Sequence, residues 1–418
     1  MQHTPPRKSR LTLYIVIAMI LGIGTGYLIN ANASPEFIKD FAPKIKLLAT
    51  IFLRMVQMII APLVFATLVV GIAKLGDLKT VGRVGGKAML WFISASLLSL
   101  TLGLILVTIT KPGVGVDLAN ADLEGAKDLM GKTKEFSIDK FVEHVFPRSV
   151  IEAMATNEIL QLVVFSVFFG VAITAIGKKG EPIINALDSL THVVLKMVSY
   201  VMNLAPVGVF GAMTGVIAIK GLGILGTYAY YIGSFYLGLV VLWLILLFVG
   251  YLILGKRLKE LMRRISSPMT IAFNTASSEA VFPKLVEEME RFGCNNKIVS
   301  FTLPLGYSFN LDGSMMYMTF ASMFIAQAYN ITSVTEHLGT QVAMLLVFML
   351  TSKGIAGVPR ASLVVVLATG GMFNIPPEGI GLVLAIDTFC DMGRSMTNVL
   401  GNALATAAVS KWEGALEN

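Results

Sequence analysis

The sequence predicts an all-α polytopic membrane protein, on three observations. Its 418 residues are 55% hydrophobic and 14% charged, with a mean hydropathy of +0.75, too apolar for a soluble chain of this length. Apolar runs long enough to cross about 30 Å of hydrocarbon recur along its first two thirds. Asp387, Asp391, Arg394, Asn398 and Asn402 then follow one another at intervals of three or four residues inside a late run. On a helix they share an arc of roughly 80° and span about 22 Å, a polar track through most of a bilayer. Ionisable groups at that depth face a bundle interior or a wet cavity and mark a substrate or ion route.

The first run, Leu11 to Ile29, follows Arg7, Lys8 and Arg10 and precedes Ala31-Asn32-Ala33, which has the look of a signal-peptidase site. Its 19 residues exceed the roughly 7–15 of a signal-peptide core, so it reads as a retained helix with residue 1 in the cytoplasm. Runs at about 46–73, 87–110, 158–177, 185–218 and 224–254 complete six crossings. The connectors holding Lys74, Lys79, Arg83 and Lys87, then Lys178 and Lys179, then Lys256 to Arg264, all fall on the inner side, as the positive-inside rule requires. The acidic segment 111–147 then lies outside. This distribution explains the net charge of +7 without a nucleic-acid partner. Cys294 and Cys390 stand in unrelated contexts and read as structural thiols.

After residue 254 the apolar runs shorten. Ile265–Phe273 and Ala280–Val286 flank the polar turn Asn274 to Glu279, with basic residues at both outer ends, which reads as a re-entrant hairpin. A helix at about 297–328 follows, interrupted at Asn310-Leu311-Asp312-Gly313. The plan then repeats. Val342–Leu350 and Ser362–Ala368 flank Thr351 to Pro359, and the striped helix comes last. Two interrupted hairpins, each followed by a helix and entering from opposite sides, point to a midplane binding site between inverted repeats.

Four motifs in order carry a resemblance over nearly the whole chain: Ser277-Ser278; Asn310-Leu311-Asp312-Gly313-Ser314; Gly354-Ile355-Ala356-Gly357-Val358-Pro359; and Asp391-Met392-Gly393-Arg394-Ser395-Met396-Thr397-Asn398. With these the chain resembles the glutamate-transporter-like family of dicarboxylate and amino acid:cation symporters, most nearly its bacterial proton-coupled glutamate/aspartate members. The resemblance implies eight transmembrane helices plus two re-entrant hairpins in a homotrimer embedded in membrane lipid. It also implies a fixed scaffold (1–86 and 148–220) and an elevator-like transport domain. That moving part would comprise 87–110 and 221–418, with hairpin 1 at about 258–292 and hairpin 2 at about 336–372. Both termini would be cytoplasmic at a bacterial or archaeal inner membrane.

Arg394 offers a planar fork that grips a carboxylate through two charge-assisted hydrogen bonds; the bland alternative is a neutralising pair with Asp391. One turn earlier, Asp391 can receive an ammonium, and the family pattern gives Asn398 the second carboxylate. Ser277, Ser278, Ser314, Ser395 and the backbone at Gly357 and Val358 would complete the pocket. The expected substrate is an acidic amino acid, glutamate or aspartate, with a C4-dicarboxylate as the alternative.

For the coupling ion, the resemblance points to Asp312 with Asn310, to Asn398, and to Gly306, Ser308, Ser352 and Ile355 as the set that holds sodium in sodium-coupled members. The chain departs from that pattern. Asn402 stands where those members carry a carboxylate, and Phe92 and Ala95 replace a tyrosine and a threonine. Hard cations need several oxygens, and a buried carboxylate without a metal is neutralised by a proton instead. Co-transported protons are therefore the expectation, with Asp312 as first carrier and Glu279 as second, and sodium as the alternative. Met318 replaces the proton-carrying glutamate of animal relatives. Ala276 and Met392 stand where other members place a second arginine; Arg360 reads as solvent-facing. No cofactor is expected.

Two other classes fit these residues less well. An intramembrane aspartyl protease would pair Asp312 with Asp391, but its Gly-x-Gly-Asp context is missing. A channel would line a symmetric pore, whereas here two hairpins converge on one pocket.

Overall fold

The computed structural model describes residues 11–75, 78–116, 142, 145–221, 228–352, 361–384 and 386–417. The described residues are helical apart from turns and one isolated bridge between Cys294 and Leu416. The first helix, α1 (Leu11–Asn32), exposes Ile20 and Leu28, an outward face suited to lipid. Ser34 accepts a bond from the Phe37 amide at 3.3 Å and Pro35 sets the first helical φ, so α2 (Pro35–Leu75) starts ahead of the run expected from residue 46. The third helix, α3 (Leu78–Thr110), likewise begins nine residues before its expected start at 87, so Lys79, Arg83 and Lys87 form a helical stripe instead of a loop. The expected boundary at 86/87 thus falls inside one continuous helix.

A short α4 (Val150–Thr156) leads into α5 (Ile159–Ala175). The single crossing expected at 185–218 is two helices, α6 (Glu181–Met202) and α7 (Ala205–Lys220), bent by 50°. The cause is local: Pro206, near the start of α7, has no amide hydrogen to continue the ladder. The next helix, α8 (Ala229–Leu254), ends at Gly255 with φ +58°. Among the described residues, five units are long and apolar enough to cross a membrane, counting the bent pair as one. The other three expected crossings are the 17-residue α5, a broken pair and the polar last helix.

Hairpin 1 consists of α9 (Leu258–Thr275), a turn at Ala276 in the left-handed region with φ +49°, and α10 (Phe282–Arg291). Lys259, Arg263 and Arg264, expected in a connector, sit on the first turns of α9. Beyond it, α11 (Asn296–Phe309) and α12 (Asp312–Ala328) are one helix interrupted at Asn310 and Leu311, as the motif predicts. A one-turn α13 (Thr332–Thr335) precedes α14 (Leu338–Thr351) and α15 (Ala361–Gly370). These are the helices expected as the arms of hairpin 2; Ile355, Gly357, Val358 and Arg360 lie outside the described residues. The chain closes with α16 (Ile380–Leu384) and α17 (Asp387–Trp412).

Packing places α12 at the centre, buried from Asp312 to Gln327. Against it lie α3, α15 and α17, while α8, α9 and α11 also pack on α17. The α1, α2, α5, α6 and α7 helices pack mainly with one another. The end of α17 is clasped: Arg83 donates to the Glu413 carboxylate from Nε, shared between its two oxygens, and from Nη2 at 2.8 Å, and Lys87 Nζ lies 2.6 Å from it. Both cysteines are buried and free, and burial pushes the Cys294 thiol up to about 12, which leaves it inert.

Candidate substrate and ion site

The polar stripe of α17 faces protein, not lipid: Asp387, Arg394, Asn398 and Asn402 are buried and Asp391 is half-buried. What receives it is the break between α11 and α12. At that break Asn398 Oδ1 accepts the amides of Gly313 (2.9 Å) and Ser314 (3.3 Å), and its Nδ2 donates to Ser314 Oγ at 3.1 Å. The side chain therefore supplies the cap that a helix starting in mid-membrane needs. Gly313 permits the approach, because a Cβ there would lie 2.7 Å from the Arg394 Cα.

One turn up, Arg394 Nε donates to Asp391 Oδ1 at 2.6 Å, and Ser395 Oγ donates to the same oxygen at 3.0 Å. The guanidinium carbon sits 5.1 Å from the centre of the Tyr317 ring, whose hydroxyl donates to Asp387 Oδ1 at 2.7 Å. Arg394 is thus held from two sides, by a carboxylate and by an aromatic face. Its Nη1 is buried and has no hydrogen-bond partner among the described residues. A buried charged donor left so is costly, and an incoming carboxylate would satisfy it. Tyr317 escaped the sequence reading, although a tyrosine three residues after Ser314 on a buried helix calls for a partner for its hydroxyl.

One turn further along the stripe a second cluster forms. Asn310 Nδ2 donates to Asp312 Oδ2 at 3.2 Å and to Asn402 Oδ1 at 3.4 Å. A side chain on Gly306 would collide with Asn402, and one on Gly401 with the Asp312 carboxylate. Asn310 Oδ1, Asn402 Nδ2 and the hydroxyl of Ser308 are buried without partners among the described residues. Phe92 and Ala95 are buried, with the Phe92 ring close beside Gly306. Among the described residues no three His, Cys, Asp or Glu side chains converge as a metal site would require. Asp312 accepts from Asn310, whereas Asp391 accepts from Arg394 and Ser395.

The remaining expected residues make further contacts of their own. Ser277 Oγ accepts the Ala280 amide at 3.2 Å and the Ser278 carbonyl accepts Tyr307 Oη at 3.0 Å, so both shape the tip of hairpin 1. Glu279 lines a small cleft with Ile60, Val64, Ile159, Phe282 and Tyr307, where the hairpin tip meets α2 and α5. Ser352 Oγ donates to the Met349 carbonyl at 3.3 Å.

Comparison with known proteins gives a concordant result. The sodium:dicarboxylate symporter family matches residues 11–412. The chain is 39% identical over 415 residues to a C4-dicarboxylate transport protein of Rhizobium leguminosarum, covering 99% of this chain and 91% of the relative. A protein of the same name from Rhodospirillum rubrum is 39% identical over 417 residues, with 99% and 91% covered. One from Laribacter hongkongensis is 38% identical over 423 residues, with 99% and 92% covered.

Proposed function

Since the chain belongs to the sodium:dicarboxylate symporter family, and is therefore a secondary membrane transporter and not an enzyme, we propose that its substrate is a C4-dicarboxylate. The buried Nη1 of Arg394, without a partner among the described residues, carries this reading. One carboxylate of the substrate completes the guanidinium fork, and the other reaches toward the second amide hydrogen of Asn398 and the Ser314 hydroxyl. The relatives' names support the same choice over the acidic amino acid expected from Asp391. The bond from Arg394 to Asp391 supplies the physical reason for revising that expectation: the carboxylate already has work, orienting the guanidinium, without any substrate ammonium.

A second reading, an amino-bearing C4-dicarboxylate such as aspartate, keeps one observation in its favour. The Asp391 side chain keeps 16% exposure, and among the described residues no hydrogen bond to its Oδ2 accompanies those to Oδ1. An ammonium could be received there.

Importing a dianion against 100 mV, inside negative, costs about 4.6 kcal/mol before any concentration gradient, so at least two cations must accompany it for neutrality. The proposed coupling ion is the proton, with one of the two or more required taken up at Asp312. The partial replacement of oxygen donors by Asn402, Phe92 and Ala95 supports protons over sodium. Movement of the α3, α8–α12 and α14–α17 group past the α1, α2 and α5–α7 group, within a trimer whose termini face the cytoplasm, is the accompanying proposal for how the site alternates.

The test is uptake of labelled succinate and labelled aspartate into proteoliposomes, with proton and sodium gradients imposed separately. Succinate uptake driven by the proton gradient is expected, weakened but not abolished in Asp391→Ser, which removes the bond that orients the guanidinium. Aspartate uptake with no succinate uptake, abolished by Asp391→Ser, would establish the second reading instead.

A further inference from the structure

The recognition site accounts for the front of α17; the back of the same helix is gripped by α8. Tyr236 Oη donates to the Phe389 carbonyl at 2.7 Å. Trp243 Nε1 donates to Thr397 Oγ1 at 2.8 Å, and that hydroxyl in turn donates to the Gly393 carbonyl at 2.9 Å. Between these bonds there is no room for a side chain at Gly393: a Cβ would lie 2.7 Å from Leu239 Cδ1 and 3.0 Å from the Tyr236 ring.

The spacing shows that these contacts form one seam. Phe389, Gly393 and Thr397 recur at intervals of four, while Tyr236, Leu239 and Trp243 recur at three and four, so each set is a single helical stripe facing the other. Gly393 is two residues from Asp391, about 200° around the helix, which sets the seam opposite the recognition stripe. Gly393 and Thr397 are also the immediate chain neighbours of Arg394 and Asn398.

Apolar packing between helices in lipid fixes their separation better than their rotation, because one greasy contact replaces another at little cost. Two directional hydrogen bonds, one at each end of the seam, remove that freedom. A rotation of α17 by about 10° would move a side-chain head some 6 Å from its axis by about 1 Å, a displacement that can cost on the order of 100-fold in a positioned site.

We propose that Tyr236 and Trp243 are positioning residues for substrate recognition, pinning α17 from behind so that Arg394 and Asn398 present their hydrogen bonds at the spacing of the two substrate carboxylates. The inference rests on the reading of Arg394 as the carboxylate anchor.

The test uses the full-length protein in proteoliposomes. Trp243→Phe removes the indole donor while keeping an aromatic ring, and Thr397→Val removes the hydroxyl that receives it. Each should raise KM for succinate by about 10-fold or more with Vmax within about twofold. The double variant should be no worse than either single one, and Thr397→Ser should restore the wild-type KM. A purely structural role would lower the yield of folded transporter and leave KM of the folded fraction unchanged; that outcome, in Trp243→Phe or in Thr397→Val should the first not fold, overturns the proposal. Arg394→Ala separates the two readings. If it binds succinate like the wild type, the anchor reading fails; if it loses succinate while Trp243→Phe and Thr397→Val keep their KM, only the positioning inference fails.

Discussion

Replacing Gly401 by alanine probes the ion cluster with a single methyl group. The added carbon would overlap Asp312 Oδ2 and lie 3.0 Å from the Asp312 Cγ and 3.1 Å from Asn310 Nδ2. None of these atoms is the end of a long, yielding side chain. Asp312 begins α12, and Asn310 bridges it to Asn402, so the methyl must push the carboxylate away from its amide partner or tilt α17. Overpacking of this kind costs about 1–3 kcal/mol, which corresponds to about 5- to 150-fold in an equilibrium constant. If Asp312 carries the coupling ion, that penalty falls on ion loading. The apparent affinity for the driving cation, read from succinate uptake across a series of external pH and sodium values, should drop within that range. Melting in detergent alongside Gly24→Ala, which adds a methyl where no atom lies within 4 Å, separates a local effect from general destabilisation. Cation dependence superimposable on the wild type, with Asp312 still essential, would refute the placement of the ion site between α12 and α17.

Arg394→Lys keeps the charge but loses the Nε bond to Asp391 and the planar fork; succinate affinity by calorimetry should fall by about 30- to 1,000-fold, equivalent to 2–4 kcal/mol. Asn402→Asp adds a carboxylate oxygen beside Asn310 and Asp312, and millimolar sodium should then stimulate uptake where it had little effect before. At the end of α17, the hydrogen bond from Arg83, aided by Lys87 and opposed by burial, holds the Glu413 carboxyl below its ordinary value of 4.5. A depressed native value means the clasp stabilises fully above the ordinary carboxylate range and is lost as pH falls through the native value. The gap in melting temperature between wild type and Glu413→Gln should therefore be present at neutral pH and close below pH 4.5.

Much of the fold was legible because lipid leaves few options: a long apolar run must be a helix. The starts of α2 and α3 and the bend between α6 and α7 were not, since hydropathy reports which residues tolerate lipid and is silent on where a backbone ladder begins or breaks. Ser34 with Pro35, and Pro206, were the local signals that hydropathy masks. The break at Asn310 and Leu311 could be read directly, because a polar pair and a glycine inside a membrane helix must serve a cavity.

By itself the sequence determined that a polar stripe runs along α17 and that two interrupted hairpins and a broken helix accompany it, because those are periodicities of one chain. Only the tertiary structure decided which atoms of that stripe are already engaged. Asp391 bonds to Arg394, Asn398 caps α12, Tyr317 supports the guanidinium and Glu279 borders a cleft against α2 and α5. The physical reason is that a side chain's chemistry is known from its identity, whereas its remaining hydrogen-bonding capacity depends on partners contributed by helices distant in sequence, and it is that remainder which a substrate can use.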